Sequence, residues 1–446
     1  MADIGDIKTI VIVMLENRSF DNVLGHLSLS KFDGRTDVDG LRDLPTTNAY
    51  DNFYDMQGYK PFATADTAFK HDLPHDRDLI ATQLDVHGGQ ATMGGFVASY
   101  IASTASVVAK PPPMGFLRPK SVPMSRFLAQ EYVLCDQWFA PLPAGTQPNR
   151  AMAFSGTTLI DNNVNGIIPS GPLVLDWLTA HHATWRVYHH GLSFFLLFGR
   201  FDDALGPNFR SIRQLAQDFG DDTDQAFPDV IFVEPEYYDS PVHLGHVPND
   251  NHPPLPIGPG EMLLHQIYLA LVRSNRWANT LLLVTYDEHG GFFDHVEPRK
   301  VTMVPPADAR FSARFVTTGV RVPGFVVSPL MPRGTVCHAF LDHTSILQFF
   351  AEKFAGTPRG YSDAVSARLD QGIQSLSVAL AGEPGGTRPP PPTKIVATTV
   401  VGTDDRPSVN QIAFDDAARR CLAHDSNLAL ARFPELAGLP EKAPDS

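Results

Sequence analysis

The sequence has little of what defines disulfide-rich, metal-thiolate or membrane-spanning proteins. It contains three cysteines in 446 residues, Cys135, Cys337 and Cys421, and their wide spacing leaves no CxxC pair. We therefore expect neither a disulfide framework nor a cysteine metal site, although the sequence does not exclude a single disulfide bond. No stretch reaches the roughly 18 apolar residues of a membrane-spanning helix.

Basic charge is also scarce. Lys and Arg number 35 against 49 Asp and Glu, which gives a net charge of −14 with neutral histidines. Nucleic-acid binding requires a basic face, so we expect no nucleic-acid partner. The N-terminus has no basic region ahead of its apolar run and does not resemble an export signal. We expect a cytoplasmic protein as encoded, or one secreted by a signal-independent route, and the sequence leaves its oligomeric state open.

What is present indicates a large α/β unit. The segment from Gly260 to Trp277 has apolar residues three to four positions apart, which predicts an amphipathic helix. It leads directly into an apolar run, and this order is typical of parallel β/α winding. Apolar runs predict strands at 8–15, 228–234, 280–286 and 322–328.

Loops and a tail complete the predicted organisation. Residues 30–125 and 155–255 are rich in Pro, Gly, Asp and Asn, and we interpret them as long insertions over the carboxyl edge of the sheet. A proline run near 389–392 predicts a stiff linker. We therefore expect a catalytic unit over residues 1–385 and a short tail, 386–446, packed on it. Within the tail, Lys394–Val401 is strand-like and 407–432 is predicted to be helical.

Two of the predicted strands end in oxygen donors. Glu16 and Asn17 follow the first run, and Asp287 and Glu288 follow the run at 280–286. Parallel strands present their carboxyl ends at the same edge of a sheet, where ligands bind. Carboxylate and amide oxygens suit a divalent cation, which would also relieve the repulsion between buried carboxylates. Alternatively, Glu16 only caps the helix that follows.

A third segment supplies a hydroxyl and a cation. Thr146 lies on a turn framed by Gly and Pro, and Arg150 follows four residues later. A hydroxyl beside a metal ion can act as a nucleophile, and Arg150 and Asn149 are candidates for binding phosphoryl oxygens. Alternatively, Thr146 or Asn149 caps a helix running from Arg150 to Gly156.

Several histidines lie in polar segments between predicted elements. A histidine there can bind a phosphoryl group as a cation or give a proton to a leaving alkoxide. Each one equally fits a hydrogen-bonded structural role. The candidates are His75, His189, His190, His252 and His343.

Together these segments resemble a known family. They are similar to the bacterial phosphoesterase superfamily that includes phosphatidylcholine-type phospholipases C and respiratory-burst-inhibiting acid phosphatases. The matching blocks, in the family's order, are Glu16–Asp21, Thr146–Arg150, Asn249–Pro254 and Asp287–Val296, with Asp342–Ser345 extending the match.

The resemblance implies an alkaline-phosphatase-like three-layer α/β sandwich with a mainly parallel central sheet. It implies one divalent metal ion, Ca²⁺, Zn²⁺, Mg²⁺ or Mn²⁺, held by the four oxygen-donor residues and contacted by Thr146. His252 matches the family's loops well, while His75, His189 and His190 match less closely. His343 is ranked as a contact of the phosphate or of a second metal.

The implied activity is a metal-dependent phospholipase C. It would convert phosphatidylcholine-like phospholipids to diacylglycerol and a phosphorylated headgroup through a phospho-threonine intermediate. The expected partner is a phospholipid or a small phosphoester, with transient contact to a membrane surface. The alternative is a broad-specificity acid phosphatase. A non-catalytic relative and a sulfatase-like hydrolase are weaker alternatives, since the donor set is complete and threonine occupies the position of the nucleophile.

Overall fold

The structure is a computed structural model that describes residues 3–43, 52–65, 69–221, 223–224, 227–386, 388–395 and 407–441. Its strands are β1 Thr9–Leu15, β2 Asn52–Tyr54, β3 Gln57–Tyr59, β4 Phe62–Thr64, β5 Val86–His87, β6 Gln90–Ala91, β7 Gly115–Leu117, β8 Val133–Cys135, β9 Trp138–Phe139, β10 Trp185–His189, β11 Phe209–Ser211, β12 Val230–Glu234, β13 Thr280–Tyr286, β14 Lys300–Met303, β15 Phe315–Thr317, β16 Gly324–Val327, β17 Val336–Cys337 and β18 Leu341–Asp342. Its α-helices are α1 Phe20–Leu24, α2 Arg77–Leu84, α3 Phe96–Thr104, α4 Pro123–Glu131, α5 Thr146–Ser155, α6 Val174–Ala180, α7 Phe201–Leu205, α8 Leu215–Gly220, α9 Gly258–Val272, α10 Thr344–Ala355, α11 Asp363–Asp370, α12 Val409–His424 and α13 Ser426–Arg432.

An eight-stranded sheet organises the chain, in the order β11-β10-β12-β1-β13-β16-β8-β17. Among its pairings only those of β16, with β13 and with β8, are antiparallel. Every residue of β1 and of β13 is buried, so both faces of the sheet are covered. The expected α/β class with a mainly parallel central sheet is confirmed.

The register of β1 on β13 positions the site. The two strands pair in parallel along their whole length, from Thr9 opposite Thr280 to Leu15 opposite Tyr286. Residues 16 and 287 therefore leave the sheet side by side. β12 lies on the other side of β1 and sends its following loop toward the same edge.

The four predicted strands and the predicted helix are confirmed, with small differences at their ends. The helix ends at Val272 instead of Trp277, because Ser274 caps a separate 3-10 helix, Asn275–Asn279. The interpretation of 155–255 as an insertion is wrong, since it contributes β10, β11 and β12 to the sheet. β10 carries Arg186 and β11 has three residues, so neither shows a long apolar run.

The predicted helical part of the tail is confirmed as α12 and α13. Phe414 of α12 contacts the rings of Phe194 and Tyr237, with centroids 5.8 and 5.4 Å apart. Phe414 and Cys421 are fully buried in the main core. Of the strand-like stretch Lys394–Val401, residues 396–401 lie outside the described residues. Across the described ranges, no helix combines the length and apolarity needed to cross a membrane.

Candidate active site

The loops after β1 and β13 are hydrogen-bonded to each other at the carboxyl edge of the sheet. The backbone N–H of Asn17 donates to Asp287 Oδ1 at 3.1 Å, and the N–H of Arg18 donates to the Glu288 carbonyl at 3.0 Å. Asn17 has φ +59° and Gly290 has φ +60°. A Cβ on Gly290 would lie 2.1 Å from the Asn17 carbonyl oxygen, so this crossing requires glycine.

Arg150 lies between the two strand ends as a buried counter-ion. Its Nη2 is 3.0 Å from Glu16 Oε1 and its Nε donates to Asp287 Oδ2 at 3.3 Å. Nη1 donates to the Tyr237 hydroxyl at 3.2 Å, and the guanidinium lies 4.6 Å from the Phe194 ring centroid. The guanidinium thus neutralises protein carboxylates in this structure, whereas the sequence suggested that it binds phosphoryl oxygens.

Several carboxylate oxygens in this centre are buried and have no hydrogen bond from any described residue. They are both oxygens of Glu16, of which Oε1 is ion-paired with Arg150, and Oε1 of Glu288. Burial raises the pKa of Glu16 well above its usual value, with Asp287 and Asp250 adding to the effect against the opposing charge of Arg150. Arg150 is paired with Glu16 and Asp287, while Glu288 Oε2 lies 3.1 Å from His289 Nδ1. The carboxylate atoms without a hydrogen bond are hard oxygen donors. The residues present therefore fit a divalent cation.

Thr146 is the first residue of α5 and is 1% exposed. Its Oγ1 donates to Asn17 Oδ1 at 3.4 Å, which links it to the oxygen-donor cluster. The alternative that Thr146 or Asn149 caps a helix starting at Arg150 is wrong, because α5 begins at Thr146 with Gly145 as its N-cap. The Asn149 amide instead donates to the carbonyls of Leu142, Ala144 and Gly145 and so shapes the turn.

Two histidines border the cluster. His252 Nε2 is 3.0 Å from Asn17 Nδ2, and its Nδ1 bonds the Pro253 carbonyl. The ring of His75 packs edge-on against that of His252 at 5.9 Å. Burial would lower the pKa of His75, but Asp72, Glu288 and Asp76 outweigh it and raise that pKa to about 10. Asp72, His75 and His252 form a group whose ligand atoms lie within 4.8 Å of one another.

His343 supports the site from behind. Its Nε2 bonds the Asp287 carbonyl at 2.7 Å, and Nδ1 accepts from Trp138 Nε1 at 3.1 Å. These partners fix a neutral imidazole with its proton on Nε2. Burial lowers the pKa of His343 to about 4. A neutral ring with both nitrogens occupied orients the Asp287 loop in this structure.

His189 and His190 have other surroundings. His189 Nδ1 bonds the Gly191 carbonyl at 2.8 Å, and its ring packs on Phe433 at 4.7 Å. His190 Nδ1 is 2.8 Å from Asn249 Nδ2, and its ring lies beside that of His246. Within the described residues, neither histidine bonds the oxygen-donor residues or Thr146.

The structure adds residues that the sequence analysis missed. The Asp250 carbonyl accepts from the Glu16 N–H at 2.7 Å, and Asp239 Oδ2 lies 3.9 Å from His252 Nε2. Asp239 in turn accepts from Ser408 Oγ at 2.9 Å and Asn410 Nδ2 at 2.7 Å. Asp250 belongs to a block that the resemblance had identified, but no local pattern links Asp239 to residues 169 and 171 positions away.

Gln147 joins the same tail residue to the start of α5. Its Nε2 donates to Asn410 Oδ1 at 3.0 Å and to the Val164 carbonyl at 2.9 Å. Asn410 therefore bridges the residue next to Thr146 and the carboxylate facing His252. The tail helix α12 supports the site from its first turn.

Residues 7–355 match the model of the Phosphoesterase family. Non-specific phospholipase C1 of Arabidopsis thaliana is 33% identical over 359 residues, which cover 75% of this chain and 63% of the plant protein. Non-hemolytic phospholipase C of Burkholderia pseudomallei is 27% identical over 420 residues, covering 79% and 55%. The chain thus spans less than two thirds of the length of these relatives.

Solved structures were also matched. Phosphonate monoester hydrolase of Agrobacterium radiobacter aligns with a TM-score of 0.35 at 10% identity, covering 85% of this chain and 79% of that one. A protein of the alkaline phosphatase superfamily from Vibrio parahaemolyticus aligns with a TM-score of 0.32 at 11% identity, covering 53% and 61%. Because the family model covers more than three quarters of its residues, the protein belongs to the Phosphoesterase family.

Proposed function

We propose that the protein is a metal-dependent phospholipase C that releases diacylglycerol and a phosphorylated headgroup. The observation that carries the proposal is the Thr146 hydroxyl bonded to Asn17 Oδ1, in a cluster where Glu16 Oε2 and Glu288 Oε1 are buried without a hydrogen bond from a described residue. The phospholipase C names of the plant and bacterial relatives support the choice of substrate.

Glu16, Asn17, Asp287 and Glu288 would hold one divalent cation. Their oxygen-only donor set favours Mg²⁺, Mn²⁺ or Ca²⁺, and Zn²⁺ also accepts carboxylates. When bound, such an ion lowers the pKa of a neighbouring hydroxyl and polarises a phosphoryl oxygen. Arg150 contacts both Glu16 and Asp287, and its charge opposes the rise in pKa that burial causes in each carboxyl group.

Thr146 would act as the nucleophile. Its Oγ1 loses the hydroxyl proton to solvent and bonds to phosphorus as the bond from phosphorus to the diacylglycerol oxygen breaks. The leaving oxygen takes a proton, and His252 and His75 are the candidates to supply it because both border the cluster. Water then hydrolyses the phospho-threonine, which releases the phosphorylated headgroup and restores the hydroxyl.

Substitution of the nucleophile tests this assignment. Thr146→Ala should lower phosphodiester hydrolysis at least a thousandfold, whereas Thr146→Ser should keep measurable activity, because a hydroxyl remains. Thr158→Ala is the matched control, since Thr158 is equally buried and its hydroxyl bonds the backbone of Ile160 in its own loop. Hydrolysis of a chromogenic phosphodiester by Thr146→Ala at the wild-type rate would refute the nucleophile.

Product analysis separates the two activities. Phosphatidylcholine should yield phosphocholine and diacylglycerol, while release of inorganic phosphate alone from monoesters would favour the acid phosphatase alternative. Elemental analysis of the same preparation should find about one divalent ion per chain, lost with activity on chelation and regained on readdition.

A further inference from the structure

A separate groove of about 1170 Å³ lies beside the loops of the candidate active site. Its walls come from α2, the β5–β6 hairpin and the β14–β15 ribbon, with Pro143 also contributing. None of these elements belongs to the central sheet, and Pro143 lies in a loop, so the groove is a surface feature built outside the sheet.

The charge of this groove opposes that of the whole chain. Four of its lining residues are basic, Arg77, Arg299, Lys300 and Arg314, and one, Glu297, is acidic. The chain as a whole carries −14. Arg77 is paired with Asp161, whereas Arg299, Lys300 and Arg314 make no ion pair with a carboxylate of the described residues. All three of these cations are exposed, and Arg299 also donates to Gln137 Oε1 at 2.8 Å.

The same groove exposes apolar side chains. Val86 and Val316 are 55% and 57% exposed, and both line it, together with the nearly buried Leu84 and Phe315. Cations beside exposed aliphatic groups suit a partner with negative charge next to hydrocarbon. An anionic phospholipid has both, and a purely polar anion such as free phosphate would leave the valines in water.

Three segments that carry site residues continue into this groove. Arg77 lies two residues after His75, Pro143 lies three residues before Thr146, and Val296 follows the loop that begins at Asp287. A lipid surface seated here would therefore adjoin the loops that hold the proposed nucleophile and metal ligands.

We propose that the protein docks on anionic phospholipid bilayers through this groove, with Arg299, Lys300 and Arg314 on the headgroups and Val86 and Val316 against the acyl chains. The inference rests on the proposed function only in its choice of a phospholipid as the partner. A chain of charge −14 is repelled by an anionic surface except where such a patch faces it, so the groove also sets the orientation.

Vesicle flotation tests the docking without requiring catalysis. Vesicles of equal parts phosphatidylcholine and phosphatidylglycerol should bind the wild-type protein more tightly than pure phosphatidylcholine vesicles, and less tightly as salt rises. Each basic residue near an anionic surface contributes about fivefold in affinity. The double variant Lys300→Ala with Arg314→Ala should therefore bind about 25-fold more weakly, with unchanged hydrolysis of a soluble chromogenic phosphodiester.

The matched control is Arg273→Ala with Arg420→Ala. It removes the same charge from two exposed arginines that do not line the groove, and its binding should stay within twofold of wild type. An equal loss of affinity for anionic vesicles in both double variants would show an effect of net charge and overturn the proposal. Equal binding to neutral and anionic vesicles, or displacement from vesicles by millimolar inorganic phosphate, would overturn it as well.

Discussion

Replacing Arg150 by methionine separates its role as a counter-ion from the proposed metal site. Arg150 is 1% exposed and contacts Glu16 and Asp287, which are fully buried. Methionine keeps most of the side-chain volume and removes the charge, so two carboxylates lose their partner. Removing one member of a buried ion pair destabilises a protein by about 3–5 kcal/mol.

The expected shift in melting temperature follows from the chain length. An unfolding entropy of about 2.1 cal/mol/K per residue gives about 0.9 kcal/mol/K for 446 residues. Without divalent metal, Arg150→Met should therefore melt about 3–5 °C below wild type. Differential scanning calorimetry in chelator measures this difference.

Arg368→Met is the matched control for the effect of metal. Arg368 is 4% exposed and donates to the fully buried Asp342, so its loss should destabilise the protein by a similar amount. A divalent ion at a hundredfold excess over its Kd stabilises the native state by about 2.7 kcal/mol. Metal should reduce the difference in melting temperature between Arg150→Met and wild type, because the uncompensated carboxylates attract the cation more strongly. It should leave the difference between Arg368→Met and wild type unchanged.

Two results would refute this reasoning. If Arg150→Met has the melting temperature of wild type in chelator, the guanidinium does not compensate these carboxylates. If metal changes the melting-temperature differences of Arg150→Met and Arg368→Met equally, the cation binds elsewhere.

Three further predictions concern single positions. Gly290→Ala should abolish activity while the circular dichroism spectrum stays near native, because the added Cβ would lie 2.1 Å from the Asn17 carbonyl oxygen and force the Asn17 loop to move. Full activity of this variant would contradict the prediction. Trp138→Phe removes the 3.1 Å bond to His343 Nδ1 and should lower kcat several-fold, about 1 kcal/mol, with little change in KM by steady-state kinetics. Burial lowers the pKa of His26 to about 4, so the unfolded chain binds its proton first as pH falls below 6.5, and stability should decline from pH 6.5 to 4. His26→Asn should flatten that part of the melting-temperature profile, and an unchanged slope would exclude His26 as a cause.

Sequence reasoning identified the elements whose signal is local and apolar. β1 and β13 are seven-residue buried strands, and their uninterrupted apolar runs predict a parallel core. Since parallel neighbours end at one edge, the proximity of residues 16–17 to 287–288 followed from the pattern. Thr146 was found in the same way, from a hydroxyl on a constrained turn. The contacts of these residues are observed, and their catalytic roles remain predictions.

What sequence reasoning missed depends on long-range partners. β11 and β17 have three and two residues, too short for any periodicity, and are strands because the sheet edge pairs with them. The contacts of Arg150 with two carboxylates were not predicted, for a related reason, and its binding of phosphoryl oxygens stays a prediction. A guanidinium near a predicted phosphate site looks like an anion ligand until the fold places two carboxylates against it.

The first turn of α12 bears on how this protein can be shortened. The side chains of Ser408 and Asn410 donate hydrogen bonds to Asp239, and Asn410 Oδ1 also accepts one from Gln147. Trimming the chain to residues 7–355, the family-matched portion, would leave the buried Asp239 beside His252 without these two donors. It would also remove the acceptor of Gln147, the neighbour of Thr146. A shortened version of the protein should therefore retain all residues through α12, and an affinity tag should be attached after this helix.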